Sequence, residues 1–395
     1  MPVKVVLKPG KEVPVRRFHP WVFSGAIARL EGEPADGDIA EVYDRGGQLL
    51  GVGHFHHGSI AVRLLHFGAA DLNNPAFWSA RLQTALDVRR AVGLVGVPHT
   101  DCFRLVHGEG DGLPGLIVDV YGNTAVVQCH SIGMHRQKNL IANALQQIFA
   151  DRDLAVYDKS SESLPPKYAR EVQNGYLLGD VGASSIVREN DALFRIDWAL
   201  GQKTGFFLDQ RDNRQLLARF APGKTLLNAF CYTGGFSVYA LRAGARLVHS
   251  VDISAKAMDL TAENVALNAP HSGEHQGFTE DVLRFLKNEE RSYEVVVIDP
   301  PAFAKSLDKR HNAVQGYKRL NEAAMRRVAP GGILFTFSCS QVVDRELFYH
   351  TVVAAALEVG RPARVLHHLT QGADHPVSLF HPEGAYLKGL VVHLE

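Results

Sequence analysis

Short runs that alternate between hydrophobic and polar positions fill the first 67 residues: VKVVL, a bend at Pro9-Gly10, IAEVYD, a turn at Gly46-Gly47, QLLGVGHF and IAVRLLHF. A period of two, broken by glycine and proline, predicts strands, so this stretch reads as a small all-β module. From Pro75 to about Val92 the period lengthens: Phe77, Leu82, Leu86 and Val92 fall at roughly helical spacing with charges opposite, which predicts a helix. FRLVHGEGDGLPGLIVDVYGNTAVVQCH then reads as two or three strands around a Gly-Asp-Gly-Leu-Pro-Gly turn, followed by a helix near residues 136 to 149. Turns are expected at Asn174-Gly175 and from Gly179 to Gly182.

From about residue 190 strand and helix patterns alternate. TLLNAF is a strand, CYTGG a turn, FSVYALRAG a helix, RLVHSVDIS a strand ending in an acid, and AKAMDLTAENVALN a helix. GFTEDVLRFLKN gives a strand end and helix, YEVVVIDPPAF a strand, KRLNEAAMRRVAPGG a helix running to its glycines, and GGILFTFSCS a strand. This order predicts an α/β fold built on a doubly wound, Rossmann-like sheet, whose ligands bind outside the carboxyl ends of the strands. The expected domains are a small β domain over 1–70, a central α+β connector over 71–189 and the Rossmann-like domain over 190–395.

A length of 395 residues suits two or three domains at roughly 150 residues each. Hydrophobic content of 46% and charged content of 21% are ordinary for a folded soluble protein. No stretch approaches the ~20 apolar residues of a membrane span, and the charged N-terminus lacks an apolar signal core, so a cytoplasmic protein is expected. Cys102, Cys129, Cys231 and Cys339 are widely spaced and read as free thiols. The net charge is zero, but it is segregated. Residues 1 to 20 carry Lys4, Lys8, Lys11, Arg16 and Arg17 against Glu12, and residues 303 to 327 carry seven bases, Lys305 among them, against Asp308 and Glu322. Such patches are either solvated faces or contacts for a polyanion. His54, His56 and His57 share a strand without a third ligand pattern nearby, and no metal site is expected.

The turn after the first strand of the wound sheet contains Asn228, Phe230, Tyr232, Thr233, Gly234 and Gly235, and Asp252 ends the next strand 18 residues after Gly234. Glycines let amides approach a ligand at a helix N-terminus, and an acid at that distance can accept both hydroxyls of a ribose, so the pattern suits an adenosyl ligand. The G-x-G-x-x-G of a dehydrogenase is absent. Asp281 stands where it can reach an adenine amine or merely cap a helix. Asp299 and Cys339 end two consecutive strands whose carboxyl ends should be neighbours. A strand-end cysteine is ordinarily a small buried hydrophobe. Beside Asp299-Pro300-Pro301, however, it suits a thiolate that adds to C6 of cytosine, with Asp299 on the base edge favouring protonation at N3.

Long ordered strings carry a resemblance. Lys203-Thr204-Gly205-Phe206-Phe207-Leu208-Asp209-Gln210-Arg211, NAFCYTGGFSVYAL, VIDPPAF, FTFSCS and ADHPVSLFHPEGAYLKG resemble the RlmI-type family of 23S rRNA cytosine-5 methyltransferases. HPWVFSGAIARLEG is similar to that family's N-terminal PUA domain, and RLVHGEGDGLPGLIVDVYGN to its central domain. The resemblance implies S-adenosylmethionine as cofactor, Cys339 as nucleophile, and cofactor contacts from Asp209, Arg211, Asp299, the turn and Asp252. It also implies large-subunit rRNA as partner, gripped in part by the basic N-terminus, and a homodimer. Many RNA cytosine-5 enzymes carry a second cysteine after Asp-Pro-Pro; here Ala302 follows. Two other readings stay open: an rRNA methyltransferase acting on a guanine nitrogen, for which Phe337-Ser338-Cys339-Ser340 discriminates, and a non-catalytic RNA-binding assembly factor.

Overall fold

A computed structural model describes residues 2–304 and 306–395; Lys305 of the second basic run lies outside the described residues. The alternating N-terminal runs form β1 (Val3–Leu7), β2 (Trp21–Phe23), β3 (Ile27–Glu31), β4 (Ile39–Tyr43), β5 (Leu49–Phe55) and β6 (Ile60–Phe67), with the short α1 (Val13–Arg16) after β1. They join in the order β2-β6-β5-β4-β1-β3 around Val5, Leu7, Val22, Val42, Val62 and Leu64.

Next come α2 (Pro75–Ala91), β7 (Cys102–His107), β8 (Leu116–Tyr121), β9 (Thr124–Cys129), α3 (Ile132–Arg136), α4 (Lys138–Ile148), β10 (Ala155–Asp158), α5 (Pro166–Ala169) and β11 (Gly175–Leu178). The strands form a second sheet, β11-β10-β9-β8-β7. Asn74 starts α2 by accepting the Ala76 N–H at 3.0 Å, and Pro75 needs no amide partner in the first turn. Trp78, Leu82, Ala85, Leu86 and Arg89 recur every three or four residues and are buried. Val92, expected on that stripe, is the exposed C-cap residue instead.

The hairpin β12 (Ser184–Glu189) and β13 (Ala192–Asp197) carries the chain between two compact units. The first comprises the residues up to Val187 with Ile196–Leu208 and Ala373–Gly384; the second comprises Arg188–Arg195, Asp209–Gly372 and Ala385–Glu395. Two segments beyond residue 189 thus belong to the first unit. Arg89 holds one of them. Its buried guanidinium pairs with Asp111 at 2.5 and 2.8 Å and donates to the Asp374 carbonyl at 2.7 Å.

In the second unit, helices α6 (Arg211–Ala218), α7 (Gly235–Arg242), α8 (Ala255–Leu267), α9 (Val282–Asn288), α10 (Arg310–Met325) and α11 (Arg345–Val359) alternate with strands. The strands are β14 (Thr225–Ala229), β15 (Leu247–Asp252), β16 (Glu274–Thr279), β17 (Tyr293–Ile298), β18 (Val328–Ser338), β19 (Ala363–Leu369) and β20 (Lys388–Leu394), in the order β16-β15-β14-β17-β18-β20-β19. β14 to β18 pair in parallel, while β20 runs against both neighbours. Tyr293, Val295, Val296, Val297 and Ile298 of β17 are all 1% exposed or less, as a strand covered on both faces requires. Each buried aliphatic side chain contributes about 1.5 to 3 kcal/mol.

One expected boundary is corrected. KRLNEAAMRRVAPGG is not helical to its glycines: α10 stops at Met325 and Val328 opens β18. Gly332 pairs with Leu394 of β20, and a Cβ there would lie 2.9 Å from the Glu294 carbonyl oxygen. The glycine permits close strand approach rather than stopping a helix.

Removing one partner of a buried ion pair leaves the other charge uncompensated. Arg89→Met should therefore cost about 3 to 5 kcal/mol in reversible denaturant unfolding; a cost below about 1 kcal/mol, the range of exposed pairs, would contradict the clamp.

Candidate active site

The strand order reverses between β14 and β17, so side chains at the carboxyl ends of these strands and their neighbours surround one crevice. After Ala229 the chain turns sharply. Phe230 (φ 60°) and Tyr232 (φ 48°) take left-handed conformations, as does Gly234 (φ 79°), the N-cap residue of α7. Bulky residues rarely adopt this region, at a cost of order 1 to 3 kcal/mol each, and such strain persists where surroundings enforce it. Here they do. Thr261 Oγ1 donates to the Tyr232 carbonyl at 2.9 Å, and Asn264 Nδ2 donates to the Thr233 carbonyl at 2.9 Å. A Cβ on Gly234 would meet Thr261 Cγ2 at 2.8 Å.

Asp252 locks the same turn. Its Oδ2 accepts the Tyr232 N–H at 3.0 Å and its Oδ1 the Ser254 N–H at 2.9 Å. Each oxygen keeps a second lone-pair direction, which suits a ribose diol. Asn228 Nδ2 donates to Ser237 Oγ at 2.8 Å, and Ser237 in turn shares a 2.7 Å hydrogen bond with Ser250. Asn228 Oδ1, Thr233 Oγ1 and Asp209 Oδ1 are buried without a protein partner. Buried polar atoms are normally satisfied, so orphaned oxygens at Asn228 and Thr233 beside a strained turn, and at Asp209, are the kind expected where a polar ligand binds.

A second group gathers carboxylates and the thiol. Gln210 Nε2 donates to Asp299 Oδ2 at 2.9 Å, and Asn213 Nδ2 holds the Gln210 oxygen at 2.6 Å. Tyr386 donates its phenol proton to Asp209 Oδ2 at 2.5 Å. Burial, and then the Asp209 charge, push Asp299 up to about 7, against the pull of the Gln210 hydrogen bond. Cys339, directly after β18, is partly exposed, whereas Cys102, Cys129 and Cys231 are buried. Its thiol is pushed up to about 11 by burial and by the charges of Asp299 and Asp209. Cys231 packs against Met258 and Thr261 and is pushed up to about 12, chiefly by burial.

The structure therefore gathers Asn228, Phe230, Tyr232, Thr233, Gly234, Gly235 and Asp252 at and beside one turn, and brings Asp209, Asp299 and Cys339 into mutual electrostatic range. Arg211 is buried, its Nε 3.4 Å from Glu189, which also takes both arms of Arg214 at 2.9 and 2.8 Å. Asp281 is exposed and caps α9, its Oδ1 accepting the Arg284 N–H at 2.9 Å. Sequence reasoning missed Gln210, Thr261, Asn264, Tyr386 and Lys388. Gln210 adjoins a residue already singled out; the others act across long sequence separations.

Comparison with known proteins agrees with this geometry. Residues 5–67 match the family of PUA-like domains and residues 104–373 that of S-adenosylmethionine-dependent methyltransferases. A candidate S-adenosylmethionine-dependent methyltransferase from Streptococcus mutans superposes with a TM-score of 0.83 at 22% identity, each chain covered in full. A candidate methyltransferase complexed with SAH gives 0.84 at 21%. At such identities these two speak for the fold alone. The class is thus an S-adenosylmethionine-dependent methyltransferase with an N-terminal PUA-like domain.

Ribosomal RNA large subunit methyltransferase I of Aeromonas hydrophila is 39% identical, with 99% of each chain covered, and that of Cronobacter sakazakii is 37% identical with both chains covered in full. The chain belongs to this methyltransferase I family. The residues present fit its cofactor: Asp252 offers acceptors for the ribose, Asn228 and Thr233 offer orphaned side-chain oxygens, and Asp209 Oδ1 is a free acceptor for an ammonium group.

Loss of charge-assisted hydrogen bonds costs about 1.5 to 3 kcal/mol. Asp252→Ala should weaken S-adenosylmethionine binding by about that amount in calorimetric titration, and unchanged affinity would remove Asp252 from the ribose site.

Proposed function

We propose that this chain methylates C5 of a cytosine in the RNA of the large ribosomal subunit, 23S rRNA, through a covalent bond between Cys339 and C6. The observation that supports it best is the position of a partly exposed cysteine in electrostatic range of Asp299, a carboxyl group pushed up to about 7, at the ligand end of the sheet. The names of the relatives supply the RNA. In this reading residues 1–70 grip RNA, 71–189 connect, and 190–395 carry the chemistry; a cytoplasmic homodimer is part of the same proposal.

Cytosine C5 is a weak nucleophile until a thiolate adds to C6. The Cys339 proton passes to Asp299 as Sγ bonds to C6, and Asp299 delivers a proton to N3, so no net charge is left on the base. Bound S-adenosylmethionine supplies an electrophilic methyl group to the C5 so activated. Loss of the C5 proton to solvent then lets the C6–S bond break, and the N3 proton returns through Asp299 to the departing sulfur, which restores the Cys339 thiol and neutral 5-methylcytosine. Asp299 and Asp252 also orient the ligands, and Pro300 and Pro301 leave carbonyls rather than amide donors beside the base.

The direct test is mass spectrometry of nucleosides from rRNA of cells lacking the protein after incubation with the enzyme and labelled S-adenosylmethionine. 5-Methylcytidine is the expected product. A methylated guanosine would move the reading to a guanine nitrogen, and absence of both product and S-adenosylmethionine binding to a non-catalytic assembly factor. Cys339→Ala should abolish transfer while leaving S-adenosylmethionine affinity near wild type in titration; equal activity would end the covalent route.

The productive state holds one proton shared between Asp299 and Cys339, the state that prevails from about pH 7 to about pH 11. In rate measurements under single-turnover conditions, transfer should fall about tenfold per unit below pH 7 and level off between about pH 7 and about pH 8. Asp299→Asn should remove the plateau, leaving a slower rate that climbs with thiol ionisation. A plateau retained in that variant would exclude Asp299 as the proton carrier.

A further inference from the structure

The first residue of β20 stands at the catalytic edge because this strand runs against the others: Lys388 pairs with Ser338, the residue before Cys339. Its side chain is 5% exposed. Nζ donates to the Ser340 carbonyl at 2.5 Å and to the Val343 carbonyl at 2.6 Å, bracketing the chain just beyond the cysteine. Ser340 is itself tied down, its Oγ donating to the Ala304 carbonyl at 2.7 Å. Two backbone carbonyls could be satisfied by any neutral donor. A buried ammonium group is costly in that role, and such groups are kept where their charge acts on something.

We propose that Lys388 is a positioning residue for Cys339: it fixes the turn that presents the sulfur and holds a positive charge beside it, favouring the thiolate against two neighbouring carboxylates. The inference rests on Cys339 being the nucleophile. The groups that act on the sulfur are Asp299 beyond β17, Asp209 before α6 and Lys388 on β20; Tyr317 of α10 faces the same thiol. Those that act on Lys388 are Cys339 together with Asp344 and Arg345 at the start of α11. Burial brings Lys388 down to about 8, against the pull of Cys339 and Asp344, so its charge is present at neutral pH and lost in mild alkali.

The test is the rate at which iodoacetamide alkylates Cys339, followed by peptide mass spectrometry from about pH 6 to about pH 10, without RNA or S-adenosylmethionine. Lys388→Gln removes the charge while keeping amide donors, and Lys388→Arg keeps the charge. The wild-type enzyme should react about tenfold faster than Lys388→Gln near pH 7, and that ratio should shrink through about pH 8 as the amine loses its proton. Asp299 titrates alike in both proteins and drops out of the ratio. Lys388→Arg should stay fast at neutral pH and lack the alkaline decline.

A ratio near one, or a constant ratio with Arg and Gln equally slow, would overturn the proposal and leave Lys388 as a structural tether. Thermal melting and S-adenosylmethionine titration identify a variant that fails to fold. Should Gln fail, the alkaline bend expected of wild type and absent from Arg decides. Because alkylation requires no methyl transfer, failure here is distinct from failure of the nucleophile, which Cys339→Ala reports.

Discussion

A parallel sheet covered on both faces has no room for polar chemistry along its strands, because every side chain between the ends is packed. β17 obeys this from Val295 to Ile298, and Asp299 follows directly after the strand. Asp252 is the last residue of β15, and Cys339 directly follows β18. The parallel register thus does more than hold the unit together: it delivers the acids and the thiol to one edge. The antiparallel β20 adds what no parallel strand can, a residue from a strand's beginning at the edge where the others end.

Electrostatics and burial at that edge move Asp299 and Cys339 up and Lys388 down from their ordinary values. Asp209 beside Asp299 makes two adjacent carboxylates costly, which raises Asp299 and lets it hold a proton near neutrality. Gln210 and Tyr386 each hold one of these carboxylates in place with a single hydrogen bond. The same negative charges oppose thiolate formation at Cys339, so the proposed route moves one proton within the cluster rather than relying on a standing thiolate. Around the turn, strain at Phe230 and Tyr232 is held by Thr261, Asn264 and Asp252.

Much of this was legible in the residues. Alternation of strand and helix patterns identified the wound sheet, and the turn with Asp252 followed from local spacing. What escaped depends on distant partners. Tyr386 meets Asp209 across 177 residues, Lys388 reaches Ser340 across 48, and Arg89 reaches Asp374 across 285. No local pattern encodes such pairs. The VAPGG run misled for a related reason: proline and glycine normally close a helix, but here Gly332 answers to strands that lie next to it only in the fold. Asp281 shows the converse, since its spacing fits an adenine contact and its observed hydrogen bond is an ordinary helix cap.

The proposed chemistry turns on the bond between Cys339 and cytosine C6. It is tested most directly with large-subunit rRNA transcribed with 5-fluorocytidine, since fluorine at C5 leaves no proton to remove and stops the reaction before the C6–S bond can break. A stable protein–RNA adduct, dependent on S-adenosylmethionine, should form, and its digestion should yield a methylated fluorocytidine on the peptide containing Cys339. An adduct on another residue, or ordinary turnover of RNA without any adduct, would contradict it.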